Sequence, residues 1–277
     1  RPIYLGPHMI RLRPTPHTRT PVLSYSLTVE PSDHTLHWQQ DPIGNHLARV
    51  TFPHQLPKLE VTVEMVLDMT AINPLDFFLE DFAANVPFAY PNRTHRDLFP
   101  LLEITETGSE FQTFLSQLPR PQGQSSLDWI SEMNRQVQQH IGYTVRLEPG
   151  VQSCTETLQK GTGSCRDSAW LLIQAFRKFG YAARFVSGYL VQLKADDISS
   201  RDFNTPMRDL TALHAWAEVY LPGAGWVGLD PTSGLFAGEG HIPLACSSDP
   251  QSAAPIDGKA EVCDVKFSYQ NQLSRVP

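Results

Sequence analysis

The sequence is poor in cysteine and in positive charge, and it has no long apolar run. Its four cysteines form no C-x-x-C pair, and four thiols in 277 residues are typical of a reducing compartment, which predicts a cytoplasmic protein. The formal net charge of −7 lacks the basic surplus that phosphate contacts need, which argues against nucleic acid as the main partner. No apolar run is long enough to cross a bilayer, so we expect no membrane partner.

The composition is that of a globular protein, with 41% hydrophobic and 18% charged residues. A chain of this length holds one large domain or two modest ones. It begins RPIYL, without an initiator methionine and without the charged-then-apolar pattern of a signal peptide. We therefore expect a piece of a longer polypeptide, in which further domains act as partners.

The first part of the chain has the alternating pattern of β-strands, which predicts a small antiparallel sandwich or barrel over residues 1 to about 72. Four segments carry the alternation: SYSLTVE at 24–30, TLHWQ at 35–39, ARVTF at 48–52 and LEVTVEMVL at 59–67. NPLDFFLE at 73–80 opens like a capped helical turn, and repeated prolines follow it. The linker-like PRPQGQSS at 119–126 places a domain boundary there, dividing the chain into residues 1–120 and 121–277.

The second part of the chain mixes helices and strands. A serine-capped helix is predicted over residues 127–140, and a second helix begins at Cys165 and ends before Gly180. Strands are predicted over residues 183–193, 215–221 and 226–230. The fold class is therefore α+β, with an N-terminal antiparallel β domain before a mixed core.

Cys165 lies where the second helix begins, in the segment GTGSCRD. A thiol attacks as its thiolate, and a helix N-terminus stabilises that anion. Gly161 and Gly163 permit a tight turn and close approach of a substrate. A buried structural cysteine is the alternative, because free cysteine is among the most buried residue types. This segment alone leaves both interpretations open.

His214 and Asp230 lie at matching ends of two predicted strands joined by PGAG. An imidazole and a carboxylate that meet there can activate a thiol. The register decides whether they meet. With Leu221 opposite Gly225, Asp230 lies on the same face as His214, whereas a shift by one residue turns the two side chains to opposite faces.

These three segments together resemble the transglutaminase-like superfamily of papain-like thiol enzymes. GTGSCRD, HAWAEVY and WVGLDPT occur in that family's order, and the resemblance covers roughly residues 126–245. It implies a nucleophile helix packed on an antiparallel sheet, preceded by the β domain of bacterial members. It also implies that Cys165 is the nucleophile, His214 the general base and acid, and Asp230 the residue that orients His214.

The remaining site residues are weaker candidates. Animal members of the family stabilise the oxyanion with a tryptophan that is absent from EPGVQSCTETL at 148–158, so Gln152 is our candidate donor, although an ordinary loop glutamine is nearly as good an interpretation. Four further residues are candidates to line the site, each with a structural alternative: Arg166, Asp167, Trp216 and His241. For Asp167 that alternative, a favourable interaction with the helix dipole, is preferred.

The sequence therefore predicts an enzyme that transfers or hydrolyses an acyl group at a carboxamide or peptide bond through a thioester. Its partner is a protein or peptide substrate, or a small amide. Alternatives are a cysteine peptidase or amidase and, from another class, a non-catalytic papain-like binding scaffold. We expect no cofactor and no metal, because no zinc-spaced ligands occur and no acidic cluster has the pattern of a calcium loop.

Overall fold

The computed structural model of the protein describes residues 1–194 and 209–276. The α-helices of this part of the chain are α1 (Asn92–Leu98), α2 (Ser109–Gln117), α3 (Ser126–His140), α4 (Cys154–Lys160) and α5 (Cys165–Lys178). Its first strands are β1 (Leu5–Ile10), β2 (Val22–Glu30), β3 (Thr35–Gln40), β4 (His46–Thr51), β5 (Glu60–Leu67), β6 (Gly142–Tyr143) and β7 (Thr162–Gly163). The later strands are β8 (Ala183–Gln192), β9 (Leu210–Leu221), β10 (Gly225–Asp230), β11 (Leu235–Phe236), β12 (His241–Ser247) and β13 (Ile256–Ala260).

The predicted N-terminal β domain is present as two antiparallel sheets. One has the strand order β13-β1-β4-β3, and the other is the pair β2-β5. The alternating apolar residues of these strands point between the sheets, where Val29, Ala48 and Val50 are fully enclosed. Leu244 of β12 joins this cluster, so the β domain packs directly against the second part of the chain.

The N-terminal sheet is completed by a strand from the far end of the chain. β13 pairs with β1 in an antiparallel ladder, with Ile10 opposite Ile256 and Met9 opposite Asp257. The Arg11 guanidinium strengthens the contact by donating a hydrogen bond to Asp257. Strand pairing over about 250 residues leaves no local pattern in a sequence, and the sequence interpretation did not include it.

The second part of the chain is built on a five-stranded antiparallel sheet with the order β11-β10-β9-β8-β12. Helix α5 lies across β8 and β9 and buries the predicted apolar stripe, whose members Ala169, Leu172, Ile173 and Phe176 are all inaccessible to solvent. Helix α3 has the predicted serine cap: of the two candidates, Ser125 and Ser126, it is Ser125 whose side chain accepts a hydrogen bond from the Asp128 N–H. No helix in the described ranges is both long and apolar enough to cross a bilayer.

The proline-rich stretch before residue 120 packs on this second core rather than on the N-terminal sheets. Phe111, Phe114 and Leu115 of α2 belong to the same buried cluster as α3 and α5. Asn73 begins a turn, not a helix, and its side chain accepts a hydrogen bond from the Leu75 N–H. The division at residue 120 stays a prediction. The contacts of α2 connect the segment before residue 120 to the core that contains α3 and α5.

Candidate active site

The turn before Cys165 is shaped by two glycines. Gly161 ends α4 in the left-handed conformation, with φ of 62°, which disfavours a side chain. At Gly163 an added Cβ would lie 2.9 Å from the Cβ of Asp167. The chain therefore turns tightly, and Cys165 becomes the first residue of α5. The first N–H groups of a helix lack intrahelical partners, so the thiol lies at the positive end of the helix dipole.

The β9–β10 hairpin has the register that the candidate triad requires. Gly225 pairs with Leu221 and Trp226 with Tyr220 across a three-residue loop. The prediction of this register is confirmed, and Asp230 is placed on the face of the sheet that carries His214.

His214 lies between the thiol and the carboxylate. Its Nε2 atom is 3.0 Å from Asp230 Oδ2, and Cys165 is near enough to influence the charge of the ring. Burial by itself lowers the pKa of His214, but the hydrogen bonds and charges of Asp230 and Cys165 outweigh it and raise the pKa to about 10. The site therefore favours an imidazolium at neutral pH, which is the partner that a thiolate needs.

Asp230 is held in the ionised form by several donors. Its Oδ1 atom accepts a hydrogen bond of 2.8 Å from the Thr232 N–H, while Oδ2 faces His214. Burial raises the pKa of Asp230, but the hydrogen bonds of His214 and His241 and the charge of His214 outweigh it, so that the pKa lies well below its usual range. Asn134 of α3 donates to the Asp230 carbonyl at 3.3 Å and ties the strand end to a helix.

His241 contacts the same carboxylate oxygen. Its Nε2 atom lies 3.3 Å from Asp230 Oδ2, and its Nδ1 atom accepts a hydrogen bond of 3.2 Å from the Gly238 N–H. Because Nδ1 is an acceptor, the ring proton lies on Nε2, and His241 donates to Asp230. The side chain that we expected to line the site is thus in direct contact with the candidate triad.

Trp216 forms the wall behind these two histidines. Its ring is stacked with His214 at a centroid distance of 6.4 Å and meets His241 edge-on at 5.1 Å. Trp216 is 1% exposed, so it is a buried core residue that packs against the two histidines. Gly188 leaves room for the indole, because a Cβ there would lie 2.5 Å from Trp216 Cη2.

Asp167 is the hydrogen-bonding centre of the loops around Cys165. Its buried carboxylate accepts from the Ser164 N–H and hydroxyl at 2.8 Å, from the Gln152 N–H at 2.7 Å and from Arg146 at 2.9 and 3.2 Å. Burial raises the pKa of Asp167, but these donors outweigh it and lower the pKa. Asp167 therefore does more than complement the helix dipole.

Gln152 is attached to this centre by its backbone. Its Oε1 atom accepts a hydrogen bond of 3.2 Å from the Thr157 hydroxyl, and its Nε2 amide has no hydrogen-bond partner among residues 1–194 and 209–276. The residue is 5% exposed. A buried, oriented amide with a free N–H is suited to stabilise an oxyanion.

Arg166 binds a neighbouring segment rather than the triad. Its guanidinium donates to the carbonyls of Arg146 and Glu148 at 3.1 and 3.0 Å. The sequence interpretation missed Arg146, which binds both Asp167 and this segment. No local pattern marks it, since Asp167, which binds its guanidinium, lies 21 residues further along the chain.

Two groups of side chains in the described part of the chain have donor atoms close enough to hold a metal ion. The first consists of His214, Asp230 and His241, whose hydrogen bonds to one another already use the facing atoms. The second consists of His17, Glu218 and Cys246, with His17 Nε2 3.4 Å from Cys246 Sγ. Arg184 occupies the second group, because it forms an ion pair with Glu218 and a hydrogen bond of 3.1 Å with His17. The positive guanidinium disfavours a cation there.

Comparison with known proteins agrees with this geometry. Residues 1–68 match the family model described as the bacterial transglutaminase-like N-terminal region. Residues 117–231, which contain Cys165, His214 and Asp230, match that of the transglutaminase-like superfamily. The chain therefore carries both a bacterial transglutaminase-like N-terminal region and a core of the transglutaminase-like superfamily. The family resemblance and the α+β fold predicted from the sequence are thereby confirmed.

Similar proteins extend over nearly the whole chain. Uncharacterized proteins of Mycobacterium tuberculosis and Mycobacterium bovis are each 28% identical over 261 residues, covering 89% of this chain and 79% of theirs. A crystal structure from Cytophaga hutchinsonii, described as a candidate cysteine protease, superposes with a TM-score of 0.66 at 17% identity, covering 97% of this chain and 89% of that one. At this identity the superposition shows a shared fold.

Proposed function

We propose that this transglutaminase-like protein is a cysteine-dependent acyltransferase or hydrolase that acts through a thioester. The observation that supports the proposal is the position of His214, which lies 3.0 Å from Asp230 and within electrostatic range of Cys165. The order and geometry of these side chains are those of a thiol nucleophile, its base and an orienting carboxylate.

In the first step the Cys165 sulfur attacks the carbonyl carbon of a carboxamide or peptide bond. The new C–S bond pushes the carbonyl electrons onto oxygen. His214, protonated at the start, then gives its proton to the departing nitrogen as the C–N bond breaks. The raised pKa of His214 supports this role as the acid, because the proton is present at neutral pH.

In the second step the neutral His214 accepts a proton from the acyl acceptor. An amine or water attacks the thioester, the C–S bond breaks, and the sulfur leaves as a thiolate. Asp230 stabilises the imidazolium at both stages through its 3.0 Å contact with Nε2. An amine acceptor gives a transferase and water gives a hydrolase, including a peptidase or amidase.

The oxyanion of each step needs hydrogen-bond donors. The Cys165 N–H at the helix start and the Gln152 Nε2 amide are the two donors we propose. Asp167 supports both, since it binds the Gln152 backbone and the Ser164 cap that precedes Cys165. We propose a protein or peptide substrate, with small amides as the alternative, because the chain beside the nucleophile loop is exposed: Tyr143, which pairs with Gly163, is 59% exposed.

The test is mass spectrometry of glutamine-containing peptides incubated with the protein and a primary amine, with Cys165→Ala as the matched control. Amine-modified, deamidated and cleaved peptides differ in mass and identify transferase, amidase and peptidase activity. We expect at least one of these products with the natural protein and none with Cys165→Ala. Equal product profiles for the two proteins would support the binding scaffold instead.

A further inference from the structure

The segment immediately before the nucleophile loop presents apolar side chains to solvent at every second residue. Tyr143, Val145 and Leu147 are 59%, 69% and 77% exposed, whereas the residues between them are partly buried. We name these three residues the apolar edge. Alternation with a period of two shows that the chain is extended here and that one face is turned outward.

The opposite face of this segment is anchored. Arg146 lies between Val145 and Leu147, and its side chain is only 17% exposed because it binds the Asp167 carboxylate and the Gly150 carbonyl. This charged anchor fixes the direction of its two apolar neighbours. The outward position of Val145 and Leu147 therefore follows from a buried ion pair.

The backbone of the segment is also fixed, from both sides of Cys165. Tyr143 pairs with Gly163 in the β6–β7 ladder, and the Thr144 N–H donates to the Gly163 carbonyl at 2.9 Å. On the other side, Arg166 holds the carbonyls at positions 146 and 148. The apolar edge thus begins and ends beside the nucleophile, and a surface held this rigidly loses little freedom when it binds.

Exposed apolar side chains on a rigid frame indicate a binding surface. Side chains on alternate residues of an extended chain lie about 6.6–6.8 Å apart. A second extended peptide that runs beside this segment has the same side-chain repeat. The ladder partner of Tyr143, Gly163, lies two residues before Cys165, and Arg166, which bonds the far end of the segment, directly follows Cys165. The apolar edge is therefore continuous with the candidate active site.

We propose that the apolar edge binds an extended, apolar segment of the protein substrate next to the residue that Cys165 attacks. The proposal rests on the function proposed above and adds the substrate class: a carboxamide or peptide bond flanked by aliphatic or aromatic side chains. The three exposed side chains contribute no charge to the edge, which disfavours a charged flank.

The first experiment compares two chloroacetyl peptides of equal length in labelling of Cys165, one with leucine and valine flanks and one with serine and threonine flanks. All proteins carry Cys263→Ser to remove a second accessible thiol. We expect the apolar reagent to label about tenfold faster, and Val145→Thr with Leu147→Gln to reduce that ratio to near one. Iodoacetamide, which needs no docking, should label the double variant and its parent at the same rate. Leu23→Gln, an exposed leucine in the β domain, is the matched control and should keep the tenfold ratio.

The second experiment measures binding in the absence of alkylation. The same two sequences without the chloroacetyl group are titrated into Cys165→Ala by calorimetry, and we expect the apolar peptide to bind about tenfold more tightly and only when Val145 and Leu147 are present. Equal binding and equal labelling of the two peptides would contradict the proposal that the apolar edge binds substrate, but not the proposal that Cys165 is the nucleophile. Slow iodoacetamide labelling of Cys165 would instead contradict the proposed function. The calorimetric titration would then still show whether the apolar edge binds the apolar peptide. A concentration-dependent dimer that disappears in the double variant would assign the edge to a second copy of the chain and contradict the proposal.

Discussion

Asp230 Oδ2 is shared by two histidines, because His241 Nε2 lies 3.3 Å from the oxygen atom that His214 contacts at 3.0 Å. The ring of His241 is fixed as the Nε2–H tautomer by the Gly238 N–H. The Asp230 carboxylate therefore accepts hydrogen bonds from two histidines. His241 takes no part in the proposed proton transfers, whereas His214 gains and loses a proton in them.

We predict that His241→Phe slows Cys165 alkylation at pH 6 about tenfold, because Asp230 loses a donor that helps to keep it ionised and aligned, at a cost of about 1.4 kcal/mol. His241→Gln retains an amide that can donate to Asp230 and should recover part of the rate. Rates measured from pH 5 to 9 give the test. Equal rates for the phenylalanine and natural proteins across this range would show that His241 only lines the cleft.

Asp230→Asn should lower the pKa of His214 from about 10, because burial then opposes only the contribution of Cys165 and no longer that of Asp230. Titration of the His214 ring by NMR from pH 5 to 11 measures the difference. An unchanged titration midpoint in Asp230→Asn would contradict the pairing.

Asp167→Asn should lower the unfolding free energy at pH 7 by about 2–3 kcal/mol, because Arg146 and two backbone N–H groups lose their charged acceptor. The pKa of Asp167 is lowered in the folded protein, so its contribution is complete above the unfolded value of about 3.9 and is lost as the pH falls through the folded pKa. Urea unfolding at pH 7 and pH 3 should show a smaller difference at pH 3.

Asp128→Asn is the matched control for that measurement, since Asp128 also lies in a first helical turn but is exposed. The Asp128→Asn substitution should lower the unfolding free energy by about 0.3–1 kcal/mol at most. Equal losses of unfolding free energy in the two variants would show that Asp167 interacts only with the helix dipole.

Gly188→Ala should destabilise the fold by about 3 kcal/mol or more, because the new Cβ meets the Ile242 carbonyl at 2.3 Å and Trp216 at 2.5 Å. Displacement of Trp216 also disturbs the stacked His214. Gly238→Ala, where nothing lies within 4 Å, is the control. Thermal melting of the two variants tests this, and equal melting temperatures would contradict it.

The sequence predicted the pairing of His214 with Asp230 because its geometry is local in the fold, whereas the place of Cys165 beside them was implied by the family resemblance. His214 and Asp230 lie on neighbouring strands, so a short loop and a period of two were enough to derive their contact. The helix at Cys165 followed from its apolar stripe and its glycines. These features depend on residues within one hairpin or one helix.

The rest depends on contacts between distant segments. The network of Asp167 reaches Arg146 and Gln152, 21 and 15 residues away, and only its contact with Ser164 has the local spacing of a capping box. The pairing of β13 with β1 and the meeting of His17 with Cys246 span more than 200 residues. Neither propensity nor periodicity carries information over such separations.

The most direct test of the account is the rate of Cys165 alkylation by iodoacetamide as a function of pH, in the Cys263→Ser background. Burial raises the pKa of Cys154 and Cys246 well above the usual value, so these two thiols should stay unlabelled. We predict that Cys165 reacts at pH 6 far faster than free cysteine, whose thiolate forms near pH 8.5, and that His214→Ala abolishes the advantage. A rate at pH 6 no greater than that of free cysteine, unchanged by His214→Ala, would contradict the claim that Cys165 is an activated nucleophile.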